Sequence, residues 1–210
     1  YTGEKRKGIY KMKKELGIPL ENKVLVSVGR LAKEKNLEEL LEYFSRLIKE
    51  GFGKKLTFLI AGDGPDREEL ETLARELQIN DQVIFTGMIA PEDVGRYYKL
   101  GDVFVCASSS ETQGITYIEA LACGLPALCR KDECLDQVIT DGYNGFQYEN
   151  YQYFKMHLNY ILENEDRRLE MGRRGREISQ LYSTWNFCTA AERIYREAIR
   201  RREHYADVDG

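Results

Sequence analysis

Short apolar runs, each followed by a stretch with helical spacing, constrain this chain more than any other feature. Val24-Leu25-Val26-Ser27-Val28 is β-branched and closes at Gly29, and residues 56–61, 83–85, 103–105 and 127–129 repeat the pattern. A last short strand is expected beside the turn signals Asp141-Gly142 and Asn144-Gly145. Runs this short, and apolar at successive positions, read as strands buried on both faces. Strands alternating with helices build a parallel sheet with both faces covered. The expected fold class is therefore α/β, a Rossmann-like doubly wound parallel sheet with C-terminal helices. Such sheets bind ligands in the crevice beyond the carboxyl ends of their strands.

The intervening segments support that reading. A polar helix over 3–16 stops at Gly17 and Pro19. Asn36 is expected to cap a helix whose apolar positions are Leu37, Leu40, Leu41, Phe44, Leu47 and Ile48. Pro65 suits the first turn of the helix carrying Leu70, Leu73, Ala74 and Leu77. A short helix is expected at 91–99, another through Cys123, and three more at 152–163, 166–179 and 184–202. The chain divides into a leading segment at 1–19, a sheet domain at 20–180, and a C-terminal helix and tail at 181–210.

Composition excludes several function classes. The chain holds 31 basic and 35 acidic side chains, a net charge of −4, with 42% hydrophobic residues. No stretch reaches the roughly 20 apolar residues of a membrane span. The first residues run into Lys5, Arg6 and Lys7 rather than an apolar leader, so no secretory signal is expected. Charge is polarised: residues 1–14 carry +5 and residues 167–202 carry +6, leaving −15 on the rest. That distribution argues against a nucleic-acid face. The basic ends read as solvated helix faces, or as a patch facing anionic lipid or another domain.

Five cysteines form no C-x-x-C pair, and the chain has only two histidines, His157 and His204. No metal site is expected. Cys106, Cys123, Cys129 and Cys188 lie among apolar neighbours and read as free buried thiols, which points to a reducing, cytoplasmic compartment.

Two segments carry the candidate chemistry, each just after a strand. Gly29-Arg30-Leu31 leads to Lys35, and Arg30 and Lys35 can meet one anion beside the helix that starts near Asn36. A guanidinium supplies directed donors and an ammonium a point charge, a match for a diphosphate; the alternative is two exposed cations in a charged loop. The segment 108–119 holds Glu111, then Gly114-Ile115-Thr116 opening a helix, then Glu119. The amides of Gly114, Ile115 and Thr116 are free at a helix start. Glu119 lies ~7 Å further along the axis. One carboxylate can take hydroxyls of a transferred sugar and the other those of a ribose; the alternative is a loop acid and a solvated helix position. Glu119 sits among Ile118, Ala120, Leu121 and Ala122, where an acid needs a partner. Gly62-Asp63-Gly64-Pro65 lacks the third glycine of a dinucleotide loop and reads as a tight turn beside the crevice.

Five motifs in order carry a resemblance. They are Val28-Gly29-Arg30-Leu31 with Lys35, Ala61-Gly62-Asp63-Gly64-Pro65, Phe85-Thr86-Gly87, Glu111-x7-Glu119, and the segment from Glu119 to Pro126. Over residues 20–195 the chain resembles the C-terminal, nucleotide-sugar-binding domain of a family 4 (group 1) glycosyltransferase of the GT-B fold. The resemblance implies retaining transfer from a nucleotide diphosphate sugar without a bound metal or other cofactor. Arg30 and Lys35 would neutralise the departing diphosphate, with Glu111 facing the donor sugar. Gly29 and the amides of Gly114, Ile115 and Thr116 would bind the donor, Glu119 its ribose, and the loop near Ile89 its base. Asp207-Val-Asp209 would be a disordered tail rather than a metal site.

Two departures stand out: Gln113 replaces a usual Phe, and Arg130-Lys131-Asp132-Glu133-Cys134 replaces a glycine-rich loop. The Glu-Thr-Gln-Gly variant is similar to that of bacterial glucosyltransferases that move glucose from UDP-glucose to diacylglycerol. Tyr151, Tyr153, Phe154 and Tyr160 read as helix core and rim, or as a lipid- or domain-facing surface. GT-B enzymes pair two such domains, so the resemblance implies a missing N-terminal acceptor domain. Residues 1–19 would be the crossover from it and the 184–202 helix would pack back toward it. It also implies a cytoplasmic protein with an option of peripheral contact at the inner membrane face. The rival readings are a non-catalytic GT-B subunit or chaperone of a partner transferase, and a GT-B epimerase or phosphorylase.

Overall fold

In the computed structural model, residues 3–52, 55–108 and 114–183 are described. Six strands form one sheet, β1 (Lys23–Val28), β2 (Leu56–Ala61), β3 (Val83–Phe85), β4 (Val103–Cys106), β5 (Ala127–Arg130) and β6 (Gly145–Tyr148), in the order β3-β2-β1-β4-β5-β6. Every pairing is parallel. The helices are α1 (Gly3–Glu15), α2 (Leu37–Lys49), α3 (Arg67–Glu76), α4 (Val94–Tyr98), α5 (Ile115–Ala122), α6 (Tyr151–Leu162) and α7 (Glu165–Leu181). The chain winds outward from β1 to β3, then returns to start β4 on the other side of β1. This reversal opens the crevice between the ends of β1 and β4.

The continuous apolar strands follow from burial on two faces. Along β1, Val24 and Val26 point into one layer and Leu25 into the other. The Leu25 layer is closed by Leu40, Leu41 and Phe44 of α2, Leu70 of α3, and Phe154 and Leu158 of α6. The opposite layer holds Tyr98 of α4, Tyr117 and Leu121 of α5 and, partly buried, Ile9 and Met12 of α1. The helical stripe read from the sequence of α2 is therefore its core face. Tyr151 and Phe154 are core residues, whereas Tyr153 and Tyr160 are exposed on the outer side of α6.

Three local expectations need correction. Asn36 occupies the N-cap position of α2 but makes no capping hydrogen bond, because it also ends a 3-10 turn at Lys33–Lys35 and is left-handed, with φ of 47°. Pro65 lies in a turn ahead of α3, whose N-cap is Asp66. Cys123 is half-buried rather than buried, since it stands at the C-cap of α5; Cys106 and Cys129 are buried and form no disulfide among the described residues. The 184–202 helix, Cys188 and the Asp207-Val-Asp209 tail expected from the sequence lie outside the described residues.

The amino end of the sheet is closed by a charge cluster. Asp102 accepts a hydrogen bond from the Val24 amide at 2.9 Å and pairs with Arg168 of α7 at 3.2 Å and Lys23 at 3.5 Å. Lys13 of α1 is buried nearby and donates to the Asn22 carbonyl at 3.0 Å.

Candidate functional site

At the carboxyl end, the loops after β1, β2, β3 and β4 are laced together by hydrogen bonds, backbone to backbone between the first two. The β1–β2 register, with Val28 opposite Ala61, sets the first two side by side. The Gly29 amide donates to the Ala61 carbonyl and the Leu31 amide to the Asp63 carbonyl, each at 3.0 Å. The Asp66 amide returns a bond to the Leu31 carbonyl at 3.1 Å. Arg30 is thus the exposed side chain between two residues whose amides are both tied to the neighbouring loop.

The Gly62-Asp63-Gly64-Pro65 turn consequently does more than reverse the chain. A Cβ on Gly62 would stand 1.9 Å from the Gly29 carbonyl oxygen, and one on Gly64 would stand 2.2 Å from that of Leu31. Only glycine permits this approach. Asp63 extends the lacing to the loop after β3. Its carboxylate accepts from the Gly64 amide at 2.8 Å and from Arg67 at 3.0 Å, and the nearby Met88 amide favours its charged form. The Gly64 hydrogen bond is the largest cause that holds the Asp63 carboxyl below the usual aspartate range. Ile89, half-buried, follows directly in that loop.

On the other side, Ser108 ends the β4 segment almost fully buried, and its hydroxyl donates to the Glu34 carbonyl at 3.1 Å. This bond fixes the 3-10 turn from which Lys35 projects. Gly29, Arg30, Lys35, Cys106 and Thr116 line one cleft. The structure therefore brings together both predicted cations and one predicted helix-start residue. Arg30 makes no ion pair among the described residues.

Gly114 is the N-cap of α5, left-handed with φ of 58°, and its carbonyl already accepts from the Tyr117 amide at 3.1 Å. The amides of Gly114, Ile115 and Thr116 find no acceptor among the described residues, as orphan donors at a helix start. Ile115 is exposed, while Thr116 and Glu119 are half-buried. Glu119 has the partner its apolar surroundings require: the hydroxyl of Tyr98 lies 3.1 Å from Oε2. Neither Glu119 nor Ile89 lines the cleft that holds Arg30. Glu111 and Gln113 lie outside the described residues.

Sequence reading missed Tyr98 and the bracing role of Gly62, Asp63 and Gly64. From the sequence Ser108 reads only as part of a polar loop. The signal for Asp63 was present, since Arg67 follows four residues later on a helix start. Among the described residues no group of three or more His, Cys, Asp or Glu is placed to hold a metal ion. No helix there is long and apolar enough to cross a membrane.

Comparison with known proteins gives concordant results. Residues 9–178 match the family model described as glycosyl transferases group 1. A Streptococcus pneumoniae protein described as alpha-monoglucosyldiacylglycerol synthase is 41% identical over 144 residues, 69% of this chain and 32% of that protein. A protein of the same description from Acholeplasma laidlawii is 32% identical over 199 residues, 95% of this chain and 49% of that protein. The chain thus spans half or less of the length of these curated relatives. A crystal structure of the C-terminal domain of a glycosyl transferase group 1 family protein (LpcC) from Francisella tularensis has the same fold. Its TM-score is 0.69 at 23% identity, over 88% of this chain and 95% of that one.

Proposed function

Since the chain belongs to the glycosyl transferase group 1 family, we propose that it is the donor-binding half of a retaining, metal-independent glycosyltransferase that moves glucose from UDP-glucose to diacylglycerol. The observation that carries this reading is the cleft at the β1–β4 reversal, where Arg30, Lys35 and Thr116 meet. A diphosphate there gains two cations and the free amides that open α5. As the bond to the sugar breaks, negative charge grows on the departing diphosphate. The loop backbones that carry Arg30 and Lys35 are already held beside the place where that charge appears, which lowers the barrier with little reorganisation. The metal-independent reading rests on those two cations.

The remaining roles follow the order of the ligand. Glu119 takes ribose hydroxyls, the base lies against the loop at Ile89, and Glu111 faces the transferred sugar. The acceptor and sugar are supported by two relatives described as alpha-monoglucosyldiacylglycerol synthases. Acceptor recognition belongs to the part of those proteins that this chain does not span, with α1 as the crossover toward it. A cytoplasmic location with peripheral membrane contact at the inner face accords with a lipid acceptor.

The test is calorimetric titration of the chain with UDP, UDP-glucose and uridine at low salt. UDP and UDP-glucose should bind, and uridine much more weakly. No binding of either diphosphate overturns the reading. Full-length protein should transfer glucose from UDP-glucose to diacylglycerol in vesicles, and this chain alone should not.

A further inference from the structure

Tyr98 closes α4 and is fully buried, with its ring 5.9 Å from that of Phe104 in the layer beneath α5. A phenol so placed must satisfy its hydroxyl within the protein. It reaches two acceptors on α5, Glu119 Oε2 at 3.1 Å and the Thr116 carbonyl at 3.2 Å. The carboxylate is the stronger acceptor. Burial first, and the Glu119 charge second, push the phenol far above its ordinary pKa, so it remains a donor throughout the working range. The other carboxylate oxygen, Oε1, makes no hydrogen bond among the described residues.

Building on the donor-site reading above, we infer that Tyr98 is a positioning residue: its hydroxyl clamps one oxygen of Glu119 and so presents the other to the ribose hydroxyls. A glutamate without that clamp is free to sample several rotamers and would hold a ribose less well. The clamp thereby sets the preference for a ribonucleotide over one that lacks both ribose hydroxyls. It also explains how an acid is kept in the apolar run from Ile118 to Ala122.

The experiment titrates the full chain and its Tyr98→Phe variant with UDP and with 2′,3′-dideoxy-UDP. The variant should bind UDP about fivefold to tenfold more weakly, the net scale of one ordinary hydrogen bond. Its affinity for the dideoxy compound should be unchanged. A purely structural hydroxyl would instead lower both affinities together, or neither, and either result overturns the role. In a Glu119→Ala background, Tyr98→Phe should have no further effect on UDP; a further loss would also overturn it. Loss of the native near-UV signal in Tyr98→Phe would make the hydroxyl structural, with the same consequence. A parent chain that binds neither nucleotide overturns the donor-site reading itself and the clamp with it, a result distinct from parent binding that Tyr98→Phe leaves unaltered.

Discussion

Gly62 and Gly29 are packed backbone to backbone: a Cβ on Gly62 would lie 1.9 Å from the Gly29 carbonyl oxygen. Gly62 also has φ of +145°, which L side chains rarely adopt. The loop that presents Arg30 is therefore held by its neighbour rather than by its own sequence. Gly62→Ala should push the Gly29–Leu31 backbone outward and misplace the guanidinium. The expected cost is about 1–3 kcal/mol of stability, from the enforced clash. UDP affinity should fall by about tenfold or more, since a charged contact at the diphosphate is lost. Urea unfolding and calorimetry on the same preparation check both. A variant that is destabilised but binds UDP as the parent does would show that the brace does not govern the cation.

Arg30 and Lys35 reach the cleft from one loop, and both face the same expected charge. Arg30→Ala and Lys35→Ala should each weaken UDP about tenfold or more while leaving the weak binding of uridine unchanged. Each should also flatten the dependence of UDP affinity on salt, because a screened charge–charge attraction has been removed. Equal losses for UDP and uridine would place these side chains at the base or ribose instead.

The sheet was legible because its strands are buried on both faces, which leaves a local signature in runs such as Leu56–Ala61. Arg30, Lys35 and Thr116 were legible for a related reason, as they lie on the strand-to-helix connections after β1 and β4 and strand ends define the crevice. Tyr98 was not, since its meaning depends on a contact with a residue 21 positions away. The bracing by Gly62 and Gly64 was hidden too, because it exists only once β1 and β2 are in register. Asn36 illustrates the opposite failure: its capping tendency is real, but the preceding 3-10 turn set its backbone conformation.

Asp102 is the hub of the closed end of the sheet, serving the Val24 amide, Arg168 and Lys23. The Asp102 and Arg168 side chains are each 13% exposed, whereas that of Lys23 is 38% exposed. Asp102→Ala takes the acceptor from the buried Val24 amide and leaves the mostly buried Arg168 guanidinium with only the exposed Glu165, 3.7 Å away, so it should cost about 2–4 kcal/mol. Lys23→Ala removes only a half-exposed partner and should cost less than about 1 kcal/mol. Urea titration of the two variants gives the comparison, and similar losses in both would contradict this ranking.

His157 stacks on Phe146 with ring centroids 4.2 Å apart and planes 12° from parallel. Burial pulls its pKa below the ordinary 6.5, against a weaker upward pull from Asp141. As pH falls, the unfolded chain takes up this proton before the folded one does. Stability from the neutral ring is therefore complete above 6.5, declines as pH drops through that value, and stops declining below the lowered folded pKa. His157→Phe keeps an aromatic ring against Phe146 but cannot titrate. Between about pH 8 and about pH 5 the parent should lose more thermal stability than this variant does. Melting curves across that range are the measurement, and parallel losses in the two proteins would assign the pH dependence to other groups.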